Sequence, residues 1–186
     1  MLQIKALQLS LLWIFLPLWE FLMTYTWQLL EASLQAHKPT LLADLNPPAT
    51  SKTLQRLQSE LGVSLPEDFV DALRGHDGQK GISEPLLGAY QWLSSARILD
   101  AWAFWKKQSE SAGFDNSGAE PDPGVRDDWW NIGWIPFASN GSGDYLCLDL
   151  VPAAGGRSGQ VISVWHDDGA RCVVSESFST WFARFF

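Results

Sequence analysis

Cysteine and histidine are scarce in this chain of 186 residues, which contains two cysteines and three histidines. Cys147 and Cys172 are too few and too far apart in sequence for a disulfide framework or a zinc knuckle. Both fall in predicted strands, where we expect each to be a buried thiol that packs as a small apolar side chain. The histidines, His37, His76 and His166, lie in separate turns or chain breaks, so we expect neither a bound metal nor a cofactor.

Basic residues are also in short supply. Thirteen lysines and arginines stand against 21 acidic residues, which gives a formal net charge of −8. This negative charge works against binding to nucleic acid or to an anionic membrane, and a basic protein is the easier partner to accommodate. Hydrophobic residues make up 46% of the chain, which is too apolar for a disordered protein and is sufficient for one core.

The chain also lacks an uninterrupted apolar run of the roughly 20 residues that a membrane helix requires. The longest candidate is Leu7 to Met23, which Pro17 and Glu20 interrupt. Three interpretations of residues 1–22 stay open: an upstream overrun with Met23 as the true start, a membrane anchor, or a signal peptide that lacks a small-x-small cleavage site. The first predicts a cytoplasmic protein and the second a membrane-anchored one.

The clearest local pattern begins at Ser64. Ser64 and Glu67 have the spacing of a capping box, which predicts a helix start, and Pro66 suits the first turn. The turn at Asp77-Gly78 supplies the end of this helix. Between them lies an apolar stripe with helical spacing, formed by Phe69, Ala72 and Leu73.

The remaining chain alternates between helical and strand patterns. Residues 41–49 are expected to be extended because of Pro47 and Pro48. The predicted helices are 26–38, 51–61, 64–75, 95–107 and 177–186, and the predicted strands are 86–93, 134–138, 145–151, 160–165 and 171–175. This order predicts an α+β domain over residues 23–186, with an antiparallel sheet of four to six strands, helices mainly on one face, and an exposed acidic loop near 109–128.

The stretch Leu65-Pro66-Glu67-Asp68-Phe69, followed by a polar-glycine turn, resembles the LP-x-D-aromatic motif of the SUKH superfamily, also called the Smi/Knr family. The resemblance covers roughly residues 46–186. It departs from the pattern at Phe69, where tyrosine is commoner, and in a long insert near Asn116 to Asp128. The positions that match family motifs are Leu65, Pro66, Asp68, Phe69, Gly78, Trp134, Pro136, Gly143, Asp144 and Asp149.

This resemblance implies a binding module. SUKH proteins include bacterial immunity proteins that neutralise partner toxins and fungal regulators of cell-wall assembly. We therefore expect an immunity protein that binds a basic toxin stoichiometrically, with no small-molecule substrate. The alternative within the same class is a regulatory or scaffold protein of cell-wall or envelope assembly.

The sequence Asn140 to Asp144 is rich in glycine and is interpreted as a turn between strands. No Lys-Ser or Lys-Thr follows it, as a phosphate-binding loop would require, and it is not a Gly-x-Ser-x-Gly elbow. A hydrolase using Ser142, Asp149 and His166 is the alternative from a different class. We expect no catalytic residues.

A partner-binding surface is predicted where acidic side chains adjoin two tryptophans. Aromatic anchors with a charged rim are typical of protein interfaces. Alternatively, both tryptophans turn inward and cap the core while the acids stay solvated. The residues of this predicted surface are Glu120, Asp122, Asp127, Asp128, Trp129 and Trp130.

Overall fold

The computed structural model describes residues 18–111 and 118–185. The helices are α1 (Leu18–His37), α2 (Pro39–Asp44), α3 (Ser51–Leu61), α4 (Glu67–Gly75), α5 (Ser95–Glu110) and α6 (Phe178–Phe182), followed by a 3-10 turn (Ala183–Phe185). The strands are β1 (Gln91–Trp92), β2 (Glu120–Pro121), β3 (Trp134–Ser139), β4 (Tyr145–Asp149), β5 (Gln160–Val164) and β6 (Ala170–Ser175). The predicted α+β class is confirmed.

The strands of the described region form one sheet in the order β1-β3-β4-β5-β6-β2. All neighbours are antiparallel except β2, which pairs in parallel with β6 at one edge. Trp134 lies opposite Asp149, and Asp149 lies opposite Gln160, so these three side chains share one face of the sheet. At the other end of the same strands, Tyr145 lies opposite Val164.

Helices α4 and α6 cover one face of the sheet through an aromatic cluster. Phe69 of α4 is fully buried, and its ring lies 5.0 Å from Phe178 and 5.8 Å from Phe137. Trp181 of α6 meets Phe137 edge-on at 5.1 Å. Each such ring removes a large apolar area from water and gains from edge-to-face geometry, so this cluster is the centre of the core.

The opposite face is covered by residues 122–133, which we call the cover segment. Its Trp130 stacks on Trp105 of α5 with ring centroids 5.3 Å apart, and meets Trp134 of β3 edge-on at 6.1 Å. Through Trp130, Trp134 faces the cover segment and α5. The cover segment thus completes a second apolar layer.

The sequence offers two candidate N-caps for each of three helices, Thr50 or Ser51, Ser94 or Ser95, and Ser177 or Ser179, and the structure uses the first of each pair. Thr50 accepts a hydrogen bond from the N–H of Thr53 at the start of α3, and Gly62 ends that helix in the left-handed conformation. Ser94 caps α5, and Ser177 caps α6.

The predicted capping box at α4 is wrong. The helix begins at Glu67 with Pro66 at the N-cap position, and Ser64 lies outside it. A residue that precedes proline is pushed out of helical geometry, so Leu65 is excluded from the helix and Glu67 becomes its first residue. Leu65 is instead held by its N–H, which donates to Oε1 of Gln58.

Other element boundaries also differ from the sequence prediction, most of all in two places. Residues 39–44, partly expected to be extended, form α2, because Pro39 starts a new helix as well as ending α1. The strand expected over 86–93 shrinks to β1, since Gly88 has φ of +68° and allows a tight turn that pairs Leu87 with Tyr90.

The loop expected over 109–128 is more ordered than the sequence indicates. Helix α5 extends to Glu110, β2 joins the sheet, and Val125 is buried. Residues 112–117 lie outside the described region. The expectation of two buried thiols is half right, because Cys147 is buried and Cys172 is exposed; both are free.

The N-terminal segment is described only in part. Residues 1–17, which carry most of the apolar run, lie outside the described residues, and 18–22 form the start of α1. Within the described residues, no helix has both the length and the apolar character that crossing a bilayer requires.

Candidate protein-binding surface

The cover segment is fastened to the sheet by a buried arginine. Arg171 of β6 is fully buried, and its Nε and Nη2 donate to the carbonyl of Trp129 at 3.2 and 2.7 Å. Its Nη1 donates to the carbonyls of Asp168 and Ala170. Burial lowers the pKa of this guanidinium, but an arginine side chain stays charged at any physiological pH. The buried cation therefore holds three carbonyls at once.

The same arginine fixes the Trp129 side chain. The guanidinium carbon lies 4.8 Å from the centre of the Trp129 ring, a cation–π contact. Trp129 is half-buried, so part of the residue remains accessible. A surface aromatic that is already immobilised loses little conformational entropy when a partner binds.

A second fastening point joins the cover segment to the opposite ends of β4 and β5. The side-chain amide of Gln160 donates to the carbonyl of Gly124 at 3.0 Å and to Oδ2 of Asp149 at 2.8 Å. Burial raises the pKa of the Asp149 carboxyl, although its hydrogen bonds act in the opposite direction. Arg126 adds a third contact through Nε to the carbonyl of Val151.

The predicted surface residues do not all face solvent. Trp130 is buried in the second apolar layer, so its ring is not accessible to a partner in this conformation. Asp122 uses its Oδ2 to accept from the N–H of Val173, and Asp128 accepts from the amide of Asn131. Glu120 and Asp127 are exposed. The accessible part of the predicted surface is therefore Glu120 and Asp127, with Asp122, Asp128 and Trp129 partly accessible.

The family-motif positions mainly serve the fold. Phe69, Trp134 and Pro136 are buried, and Leu65 is 5% exposed. Gly78 has φ of +69°, and a Cβ there would lie 2.4 Å from the backbone of Leu93, so only glycine fits.

The two acidic motif residues at the ends of β4 have different surroundings. Asp149 is fully buried beside Gln160, as described above. Asp144 accepts from both the backbone N–H and Nδ1 of His166, at 3.0 and 2.8 Å. Burial opposes ionisation of Asp144, but these hydrogen bonds outweigh it and lower the pKa of the carboxyl. In return, the hydrogen bond that His166 donates to Asp144 raises the pKa of the imidazole.

The structure does not bring together the residues of the hydrolase alternative. Ser142 and His166 lie next to the Tyr145 end of β4, whereas Asp149 lies at its other end. At roughly 3.3 Å per residue, four residues of strand separate them by about 13 Å. Asp149 therefore cannot orient His166 in the way that a Ser-His-Asp mechanism requires.

One group of side chains in the described region could hold a metal ion. Asp144, His166 and Asp167 have ligand atoms that all lie within 4.8 Å of one another. Sequence reasoning placed the three histidines in unrelated turns and did not connect His166 with Asp144. The pairing of β4 with β5 brings the turn before β4, which carries Asp144, next to the turn after β5, which carries His166 and Asp167.

Sequence reasoning also missed Arg171 and Gln160, which fasten the cover segment. A charged and an amide residue inside two apolar strands was the available signal. A buried polar side chain requires hydrogen-bond partners, so both positions pointed to a covering segment that supplies carbonyl groups.

A comparison with models of known protein families finds a match over most of the chain. Residues 48–184 match the model of the SMI1 / KNR4 family (SUKH-1). This range takes in α3 through α6 and the whole sheet.

Several fungal proteins are similar to this chain. A KNR4/SMI1 homolog of Yarrowia lipolytica is 25% identical over 85% of this chain and 29% of its own length. The glucan synthesis regulatory protein of Neurospora crassa is 22% identical over 85% and 36% of the two chains, respectively. The cell wall assembly regulator SMI1 of Saccharomyces cerevisiae is 20% identical over 86% and 39%. The chain thus spans about a third of the length of the curated relatives it matches.

Proposed function

Because this chain belongs to the SMI1 / KNR4 family (SUKH-1), we propose that it is a protein-binding regulatory module of cell-wall or cell-envelope assembly. Two of its relatives are named for the regulation of glucan synthesis and of cell wall assembly, and these names support this function. On this proposal the chain binds a protein partner through its surface and catalyses no reaction.

The observation that carries the proposal is the fixed position of Trp129 in the cover segment, which also carries an exposed acid, next to a strand that carries another. Arg171 immobilises the ring. Glu120 of the edge strand β2 and Asp127 of the cover segment are both exposed. An immobilised aromatic supplies contact area at low entropic cost, and acidic neighbours accelerate encounter with a basic partner. The net charge of −8 extends this attraction beyond the local contacts.

The hydrolase alternative loses the acid that was proposed for it. Asp149 lies at the far end of β4 from Ser142 and His166, where it accepts a hydrogen bond from Gln160. The acid that contacts His166 is Asp144, which accepts from its backbone N–H and from Nδ1.

Toxin immunity is the second candidate, and the excess of acidic residues is the observation that favours it. An acidic protein that binds a basic nuclease would mask the nucleic-acid groove. The relatives named above favour the regulatory function. The identity of the partner distinguishes the two candidates.

The test is affinity purification of partners from the source organism with three forms of the chain. These are the wild type, the double variant Glu120→Gln with Asp127→Asn, and a matched control, Asp100→Asn with Glu110→Gln, which removes two exposed acids from α5. We expect the first double variant to retain the partner at least about fivefold less well than the control, with a difference that shrinks at high salt.

The partner and a deletion strain then decide the function. Regulation is supported if the partner is an envelope-assembly protein and the deletion strain is sensitive to cell-wall stress. The wild-type chain should then remove that sensitivity, and the variant Glu120→Gln with Asp127→Asn should not. A toxin as partner, whose lethality this chain suppresses, overturns regulation in favour of immunity. Equal retention by both double variants would remove the acidic surface from the proposal.

A further inference from the structure

We propose that Asp144, His166 and Asp167 form a site for one divalent transition-metal ion, for which Zn²⁺ is the probe. The three side chains come from two turns, 140–144 and 166–169. These turns adjoin because Tyr145 at the start of β4 pairs with Val164 at the end of β5. The proposal does not depend on the proposed regulatory function.

The distances between ligand atoms suit a small ion. Oδ1 of Asp144 lies 2.8 Å from Nδ1 of His166, and Oδ1 of Asp167 lies 3.7 Å from the same nitrogen. Zinc bonds to nitrogen and oxygen of about 2.0–2.2 Å place neighbouring tetrahedral ligands roughly 3.4 Å apart. Only small adjustments are needed, and Asp167 can make them because its side chain is 70% exposed.

A second layer of contacts orients the buried ligand. The Asn140 amide donates to Oδ2 of Asp144 at 2.6 Å, and Oδ1 of Asn140 accepts from the N–H groups of Ser142 and Asp144. Oδ2 is therefore committed to Asn140, and Oδ1 faces His166. Hydrogen-bonded carboxylates of this kind are usual around metal ions.

The imidazole is also positioned by a close backbone approach. Gly143 has φ of +107°, and a Cβ at that position would lie 2.9 Å from Cγ of His166. The absence of a side chain at Gly143 thus leaves the space that the ring occupies.

Binding requires an exchange of one proton. Without an ion, Nδ1 of His166 carries the proton that it donates to Oδ1 of Asp144. For Nδ1 to ligate, the ring must be neutral with its single proton on Nε2: an imidazolium releases its Nδ1 proton to solvent, and a neutral ring transfers it to Nε2 through solvent. The ion then takes the place of that proton between the two atoms. Oδ1 retains its hydrogen bond from the backbone N–H of His166. The two carboxylates balance the charge of the ion, and water completes the coordination.

The test is titration of the metal-stripped, tag-free chain with Zn²⁺ in a calorimeter. We expect one ion per chain, and affinity at least about tenfold weaker in His166→Gln and in Asp167→Asn. His37→Gln and Cys172→Ser are the matched controls, since both residues are exposed and lie outside the site. Both controls should bind as the wild type does.

Thermal unfolding gives a second measurement. At one fixed concentration, Zn²⁺ should raise the Tm of the wild type and both controls by the same amount and that of Asp167→Asn by clearly less, because only the folded site binds the ion and the variant binds it more weakly. Asp167→Asn keeps the test decisive even if His166→Gln does not fold. Unchanged affinity in Asp167→Asn, or loss of binding in Cys172→Ser or His37→Gln, overturns the proposal.

Discussion

Oδ2 of Asp68 accepts a hydrogen bond from the backbone N–H of Ser179 at 2.8 Å, between residues 111 positions apart in the sequence. Ser179 lies in the first turn of α6, whose N–H groups have no partners within their own helix. The motif acid of α4 therefore caps α6, while its other oxygen accepts from the N–H of Phe69.

We expect Asp68→Ala to lower the free energy of unfolding by about 1–2 kcal/mol, since it removes a cap from α6. Ser64→Ala is the matched control and should change stability by less than about 0.5 kcal/mol, because Ser64 is exposed outside α4. Urea unfolding measures both. A larger loss of stability in Ser64→Ala than in Asp68→Ala would indicate that Ser64 caps α4, in contradiction to the structure.

Arg171→Met should loosen the cover segment. It leaves the carbonyls of Trp129, Asp168 and Ala170 without their donor, at a cost of about 2–4 kcal/mol in the free energy of unfolding. Tryptic cleavage after Arg126, mapped by mass spectrometry, should accelerate in this variant. Arg157→Met, which removes an exposed arginine paired with Glu176, should cost about 1 kcal/mol or less and leave that cleavage unchanged.

Asp44 should make stability depend on acid pH. Burial opposes ionisation of this carboxyl, but hydrogen bonds from Ile82, Ser83 and Gln79 outweigh it and lower its pKa from the ordinary value of 3.8. Because the pKa is lower in the folded state, Asp44 stabilises the fold above pH 3.8, and this contribution is lost as the pH falls through the lowered value.

The corresponding variant is Asp44→Asn. We expect it to lose about 1–3 kcal/mol of unfolding free energy at neutral pH and to show a weaker decline in stability between about pH 5 and pH 2. Asp100→Asn, at an exposed position of α5, serves as the control. Parallel pH profiles for wild type and Asp44→Asn would contradict the assignment.

Gly143→Ala and Gly141→Ala form a matched pair. Both glycines have positive φ, of +107° and +80°, so each substitution carries backbone strain of about 1 kcal/mol. A Cβ at Gly143 also meets the His166 ring, whereas nothing lies within 4 Å of one at Gly141. Gly143→Ala should therefore be the more destabilising in thermal unfolding, and equal shifts would show that the imidazole lies elsewhere.

The two thiols should differ in reactivity. Burial raises the pKa of the Cys147 thiol well above its ordinary value, which disfavours the reactive thiolate. Cys172 is exposed. A thiol-specific reagent should therefore modify one cysteine rapidly in the native chain and both in denaturant, with Cys172→Ser abolishing the native reaction. Rapid native modification of Cys147 would contradict its burial.

The sequence was informative where structure depends on neighbouring residues. The leucine stripe of α3, its Thr50 cap and its terminal Gly62 predicted one helix with both its ends, because a cap and its helix lie within a few residues. Periodicity likewise located β3 to β6, since buried strands read as short apolar runs between turn signals. Local pattern misread Pro39 and Pro66, because a proline can end one helix or start the next.

The α+β class and most element positions were determined by the sequence itself. Which distant residues touch was decided by the tertiary structure: Asp68 with Ser179, Arg171 with Trp129, and Asp144 with His166. The physical reason is that strand order and register bring these atoms together, and neither leaves a signature in the residues next to each partner. The inward turn of Trp130 was decided in the same way, by the tryptophans it packs against.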